Sequence, residues 1–287
     1  VTEVVVAALT LSVALHICWN LIARRVDPDC HFLWWAILGH LLVLGPLSLP
    51  HLFTHADWGG SLPQWIVVSA LALSAYFLAL GQAYRHAPVN FVYPLSRSAP
   101  VLLIGLLGMP VFGEVPGLFG WIGILLTTAG VALLARTAER QDTRHALPWI
   151  AVAVAGTTTY SLSDRAAVAA LPDLWSAVGY VSVTYAVVFL ALTGRNRQRF
   201  GRWIPPRRPG AAALAVGATA IGSSYALVIF TMRFIPAAYA VAFTSLGVIV
   251  AAGISFAWER EMNDLLPRAG AIALSLLGLG IMGWARL

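Results

Sequence analysis

Apolar residues run along this chain in blocks of about 20, and the polar residues fall mostly between the blocks. Reading each block out to the Arg, Pro, Gly or Trp that bounds it predicts helices over 3–23, 31–50, 62–84, 88–111, 117–136, 148–168, 174–193, 210–232, 237–258 and 265–285. A helix of that length crosses a bilayer core, so the pattern predicts an all-α membrane protein of ten transmembrane helices. The tryptophans mark the same limits. Trp34, Trp35, Trp65, Trp121, Trp149, Trp175, Trp258 and Trp284 stand at expected helix ends, where an indole sits between headgroups and hydrocarbon. The first block follows Glu3 with no Lys or Arg ahead of it, the wrong flank for a cleaved signal peptide, and is expected to stay as a membrane helix.

Composition removes the other broad classes. Of 287 residues 59% are hydrophobic and 10% charged, with mean hydropathy +0.80, whereas a soluble domain carries roughly 25% charged residues. That excludes a soluble enzyme, a nucleic-acid binder and a domain held by one anchor. The net charge of +6 comes with 18 basic residues, all Arg, scattered at the ends of apolar blocks and not gathered on a polar module. The charge therefore reads as membrane topology and points to no nucleic-acid partner. Fourteen of the Arg, among them Arg24, Arg25, Arg85, Arg136 and those of the basic run 194–209, fall in loops on one side, against Arg165, Arg233 and Arg286 on the other. The positive-inside rule puts the fourteen in the cytoplasm and both termini outside. Arg without Lys fits a GC-rich bacterial genome, hence a bacterial inner membrane. Cys18 and Cys30 have no metal-ligand spacing and are expected to be buried, inert thiols.

The chain also repeats. Residues 84–123 lie over 232–270, with Arg85 on Arg233, Pro88 on Pro236 and, after one gap, Glu114 on Glu261 and Gly123 on Gly270. More weakly, 16–24 lie over 160–168, which puts Asn20 on Asp164. Each copy holds five helices: 1–136 forms the first, 137–147 a linker and 148–287 the second. An odd number of crossings inverts the second copy relative to the first, the arrangement of alternating-access transporters with a site near the midplane.

The stretch Ala87-Pro-Val-Asn-Phe-Val-Tyr-Pro-Leu-Ser-Arg-Ser-Ala-Pro100, followed by Gly113-Glu114 and by Gly120, Gly123 and Gly130, resembles the core of an EamA-type domain of the drug/metabolite transporter superfamily. The partial second copy through Gly278 resembles its partner, so the likeness covers nearly the whole chain. It implies a ten-helix carrier or exporter of small metabolites, often amino acids or amphipathic drugs, with no covalent cofactor. The second copy departs from the pattern where Phe243-Thr244-Ser245 replaces Leu95-Ser96-Arg97, so the halves need not bind alike. Small four-helix relatives use a membrane glutamate in the first helix for proton coupling, whereas here that helix has His16 and no central carboxylate.

Arg97 falls about nine residues into the fourth span, roughly 13 Å from its start at ~1.5 Å per residue. A cation at that depth costs at least ~2.5–3.5 kcal/mol and should face a wet cavity or a partner. Two readings stand: Arg97 binds an anionic group, or it pairs structurally with Asp164. Asp164 is also the candidate for a titrating or cation-binding group. Pro94, Pro100 and Pro110 in the same span remove backbone donors and tend to kink it. His16 and Asn20 share one helix face with Trp19 beside them. Tyr76, Tyr93, Tyr160, Tyr225 and Tyr239 would supply aromatic walls with a hydroxyl, and Gln82, Ser96, Thr244 and Ser245 are polar within apolar spans, where Ser and Thr often bond their own backbone. These residues line the expected cavity, with Asp164, Glu114 and Glu261 as coupling, gate or capping residues. His51, His55 and Asp57 in HLFTHAD are the one metal-like cluster, read as solvated loop because no HExxH or third ligand at helical spacing accompanies them. No metal or other cofactor is expected, and no GxSxG or P-loop occurs. The expectation is efflux of a small organic molecule by a lipid-embedded monomer or homodimer, not an enzyme. The alternatives are a receptor or scaffold without transport and an intramembrane enzyme.

Overall fold

The computed structural model describes residues 2–27, 30–136, 143–247, 249–250 and 265–286. Among them the secondary structure is helical, with no strand. In chain order the helices are α1 (Thr2–Arg25), α2 (Phe32–Val43), α3 (Gly45–His55), α4 (Leu62–His86), α5 (Val89–Phe112), α6 (Gly117–Arg136), α7 (Leu147–Ala167), α8 (Leu174–Phe200), α9 (Ala211–Thr231), α10 (Ala237–Thr244) and α11 (Leu265–Arg286). Seven of them, α1, α4, α5, α6, α8, α9 and α11, are long and apolar enough to cross a membrane. The pair α2 and α3, bent by 59° at Leu44, makes an eighth if it is one broken span. The break follows from Gly45-Pro46, since proline lacks the N–H that would continue the ladder. The expected helix 31–50 is thus two helices, and α3 runs on to His55, so HLFT and the first histidine pair are helical where a loop was expected.

α7 is as long as the crossing helices but falls outside the seven because its second half reads TTTYSLSDR. Most of those polar groups point inward: Thr157, Thr158, Ser161, Ser163 and Asp164 are buried, whereas Thr159 is exposed. The expected ninth span, 237–258, is described through α10 and little further, and Glu261, Gly253, Trp258 and Arg260 lie outside the described residues. Cys30 is buried as expected, whereas Cys18 is exposed because it faces outward from α1.

By internal contacts the chain forms two compact units, one of Val1–Val6, Ala75–Leu162 and Phe234–Leu287, the other of Ala7–Ser74 and Ser163–Arg233. In the first unit α6 packs along α11 and α5 lies against α6 and α10. The α6–α11 contact depends on small residues. A Cβ at Gly130 would meet the Ala271 carbonyl at 2.7 Å, and one at Gly278 would meet the Thr127 backbone nitrogen at 2.6 Å. α5 stops at Gly113, whose φ of 69° suits only a glycine readily. The turn is closed by Gly113 N–H on Met109 O at 3.0 Å and Glu114 N–H on Gly108 O at 3.2 Å. Glu114 then accepts from the Ala237 N–H at 3.1 Å and caps the start of α10. The Gly-Glu pair therefore ends one helix and begins another.

In the second unit α2 packs on α9 and α3 on α8. Asp57 N–H donates to Ala170 O at 3.0 Å, and the Arg233 guanidinium donates to Leu171 O at 2.8 Å. These contacts gather three connecting segments at one end of the unit. At the other end Trp35 Nε1 donates to Arg207 O at 3.0 Å and Arg207 pairs with Asp27 at 3.1 Å. Large apolar side chains are exposed along the helices, among them Leu42, Phe53, Leu71, Leu118, Leu190 and Leu266. That much apolar surface suits a hydrocarbon solvent and not water.

Candidate functional site

Among the described residues, Asp164 in the second unit and Arg97 in the first are charged side chains set within apolar helices, and the two are stabilised differently. In the second unit Asp164 of α7 has no exposed surface. Its Oδ1 accepts from Ser69 Oγ of α4 at 2.6 Å and from Tyr180 OH of α8 at 2.8 Å. Its Oδ2 accepts a short hydrogen bond from Tyr225 OH of α9. Hydroxyl donors from three helices thus fill the carboxylate.

The network continues from Tyr225. Its ring stacks on Tyr185 with centroids 6.4 Å apart, and Tyr185 meets the His40 ring edge-on at 5.3 Å. His40, with no exposed surface, lies 3.1 Å from Ser182 Oγ, which is 3.2 Å from Ser48 Oγ just past the α2–α3 break. A Cβ on Gly222 would strike the His40 ring, so that glycine makes room for the imidazole. Ser69, Tyr180, Tyr185, His40, Ser182 and Ser48 were not picked out by sequence. Tyr180 and Tyr185 carry the one usable signal, a tyrosine in mid-span instead of at the interfacial belt.

In the first unit Arg97 of α5 faces two aromatic rings. Its guanidinium carbon lies 5.9 Å from the Tyr76 centroid and 5.5 Å from that of Tyr93, within cation–π range. Tyr160 packs edge-on against Tyr76 at 5.9 Å. Arg97 Nε is sealed from solvent and has no hydrogen-bond partner. Ser96 beside it bonds back to Tyr93 O at 3.0 Å, as serine in a helix often does.

The other candidates make contacts of their own. Asn20 Nδ2 donates to His16 O at 2.7 Å, and His16 stands 5.6 Å from Trp19, whose Nε1 is buried without a partner. Gln82 accepts from Arg85 at 3.0 Å. Tyr239 OH donates to Pro116 O at 3.0 Å, which ties it to the connection after α5. Thr244 bonds Val241 O at 2.6 Å, and Ser245 Oγ is buried with no partner.

Outside the spans, His51 Nε2 and Asp173 Oδ2 are 2.8 Å apart, and the His51 and His55 rings stack at 4.0 Å. Asp173 caps α8 through the Ser176 N–H. Partial burial acts against its charge, but the Ser176 N–H and His51 outweigh that and hold the carboxyl below its ordinary value. Among the described residues no group of three or more His, Cys, Asp or Glu is placed to hold a metal.

No family model matches this chain. It is 28% identical over 103 residues, 36% of its own length and 87% of the relative's, to the quaternary ammonium compound-resistance protein QacF of Klebsiella aerogenes. A solved crystal structure 16% identical in sequence superposes with a TM-score of 0.70 over 99% of this chain and 98% of its own, a likeness of fold alone. With the apolar helices, these findings support a multi-pass membrane transporter.

Proposed function

We propose that the chain is a secondary transporter that exports a small organic metabolite or amphipathic compound, amino-acid-like or drug-like, by alternating access. The observation that carries this reading is a charged side chain held inside each unit among tyrosines, within helices that otherwise present apolar surface outward. Intramembrane charge is costly and is retained chiefly where a substrate or ion passes. The QacF likeness supports a resistance-type exporter, and the EamA-type motif supports the ten-span drug/metabolite transporter architecture in particular.

The ten spans count the broken pair α2–α3, α7 with its polar face turned inward, and the span begun by α10. Support for the inversion of the two five-span copies comes from the sequence: Arg85, Pro88 and Glu114 align with Arg233, Pro236 and Glu261, and an odd number of crossings in each copy inverts the second relative to the first. We place the chain in a bacterial inner membrane with both termini outside, as a monomer or homodimer, with the tyrosines, Arg97 and Asp164 as substrate or coupling residues. Purified protein in proteoliposomes loaded with amino acids, organic anions and cationic dyes should release at least one of them faster than protein-free vesicles. A receptor or scaffold would release none, and an intramembrane enzyme would return a chemically altered product.

A further inference from the structure

We infer that Arg97 and its tyrosines are the docking point for a small organic monoanion, a carboxylate carrying an apolar or aromatic body; the inference rests on the transport reading and names its substrate class. Arg97 has the faces of Tyr76 and Tyr93 for neighbours, and its Nε is sealed from solvent with no hydrogen-bond partner. Tyrosine faces offset its charge, but a ring face is a poor acceptor for N–H groups that lie in the plane of the fork, and the Nε–H is left without one. A planar carboxylate satisfies two of those donors at once and supplies the missing negative charge. α5 carries no second charged residue, and a single negative charge matches the one it has.

The surroundings are built to hold this geometry. Tyr93 packs on the buried cluster of Val131, Leu134 and Ala271, and Tyr76 is held against Tyr160. The aromatic walls can then receive the apolar part of the ligand while the fork takes its carboxylate. The position that aligns with Arg97 in the second copy, Ser245, also has a buried hydroxyl without a partner. A quaternary ammonium ion, the compound class in the name of the bacterial relative, is poorly served here. Arg97 already occupies the tyrosine faces such a cation would use, and the carboxylate of Asp164 is filled by three hydroxyls.

The test is calorimetric and thermal-shift binding to the whole purified chain in detergent. The probes are a series of monocarboxylates from acetate to indole-3-acetate, the amide of each, and benzyltrimethylammonium. The wild type should bind at least one carboxylate at least tenfold more tightly than its amide and than the ammonium ion. Arg97→Gln should abolish that preference, and Arg97→Lys, which keeps the charge without the fork, should retain part of it. The preference of the wild type is read without any variant, so a variant that fails to fold leaves the test intact. Tighter binding of the ammonium ion, equal binding of acid and amide, undiminished carboxylate binding by a folded Arg97→Gln protein, or binding of no probe would each overturn the inference. Flux of the ammonium ion independent of Arg97 would overturn it and leave the transport reading standing. Carboxylate binding without flux of any probe would do the reverse.

Discussion

Burying a carboxylate among apolar helices is tolerable when its lone pairs are filled, and Asp164 fills them with hydroxyls from α4, α8 and α9. Removing one donor leaves a gap no water readily reaches. Tyr180→Phe should therefore lower stability by about 1–2 kcal/mol, above the ~0.6 kcal/mol average of an interhelical hydrogen bond in a membrane because the acceptor is a carboxylate, read as a fall in Tm, and a double-mutant cycle with Asp164→Asn should show the two effects are not additive. At the surface, Asp173 has its carboxyl held below the ordinary value, so its contribution to stability is present above the unfolded pKa near ~3.9 and is lost as pH falls through the lower folded value. The Tm difference between wild type and Asp173→Asn should thus be constant near neutral pH and close in strong acid. A difference that instead widened with acid would contradict the assigned role. Sequence singled out Asp164 and Arg97 because a charge in an apolar block is conspicuous. Their partners were partly hidden, since Ser69, Ser48 and Ser182 look like any helical serine, and three-dimensional proximity alone gives them meaning.

At the scale of the element, hydrophobic blocks located the described helices apart from joining α2 and α3 into one, but not always their ends. α8 continues to Phe200, seven residues past the expected 193, because the apolar pattern reports the membrane part of a helix and the Arg-rich turns extend it into water. The α2–α3 break was written in Gly45-Pro46, yet apolar content continues across it, so a reading by hydropathy joins the two. The small residues between α6 and α11 give a sharper test. Gly130→Ala puts a methyl against Ser275 and the Ala271 carbonyl, and Gly278→Ala puts one against Thr127. Each should cost about 1–3 kcal/mol by overpacking. Gly280→Ala, on the same helix with nothing within 4 Å, should leave Tm unchanged or raise it. Equal effects at all three positions would mean that α6 and α11 are not in close contact.

For the whole molecule, the one-sided distribution of Arg and the repeat both bear on how the chain threads the bilayer. A single cysteine at position 200, in a background with Cys18 and Cys30 replaced, should react with an impermeant maleimide from the cytoplasmic side, and one at position 59 from the outer side. The opposite pattern would reverse the orientation while leaving the fold untouched. The expectation of two copies rests on Arg85, Pro88 and Glu114 aligned with their mates in the sequence. How the chain divides into compact units could not be read there, because α1, α4 and α7 each contribute to both, and such sharing leaves no mark in a linear pattern. The central claim is that this molecule carries its substrate by exposing one site alternately to each side, and counterflow tests it most directly. Proteoliposomes preloaded with an excess of an unlabelled substrate and diluted into a trace of the labelled one should accumulate label transiently above equilibrium, with Arg97→Gln reducing the accumulation. Label that only equilibrates, or that enters equally in vesicles without protein, would contradict it.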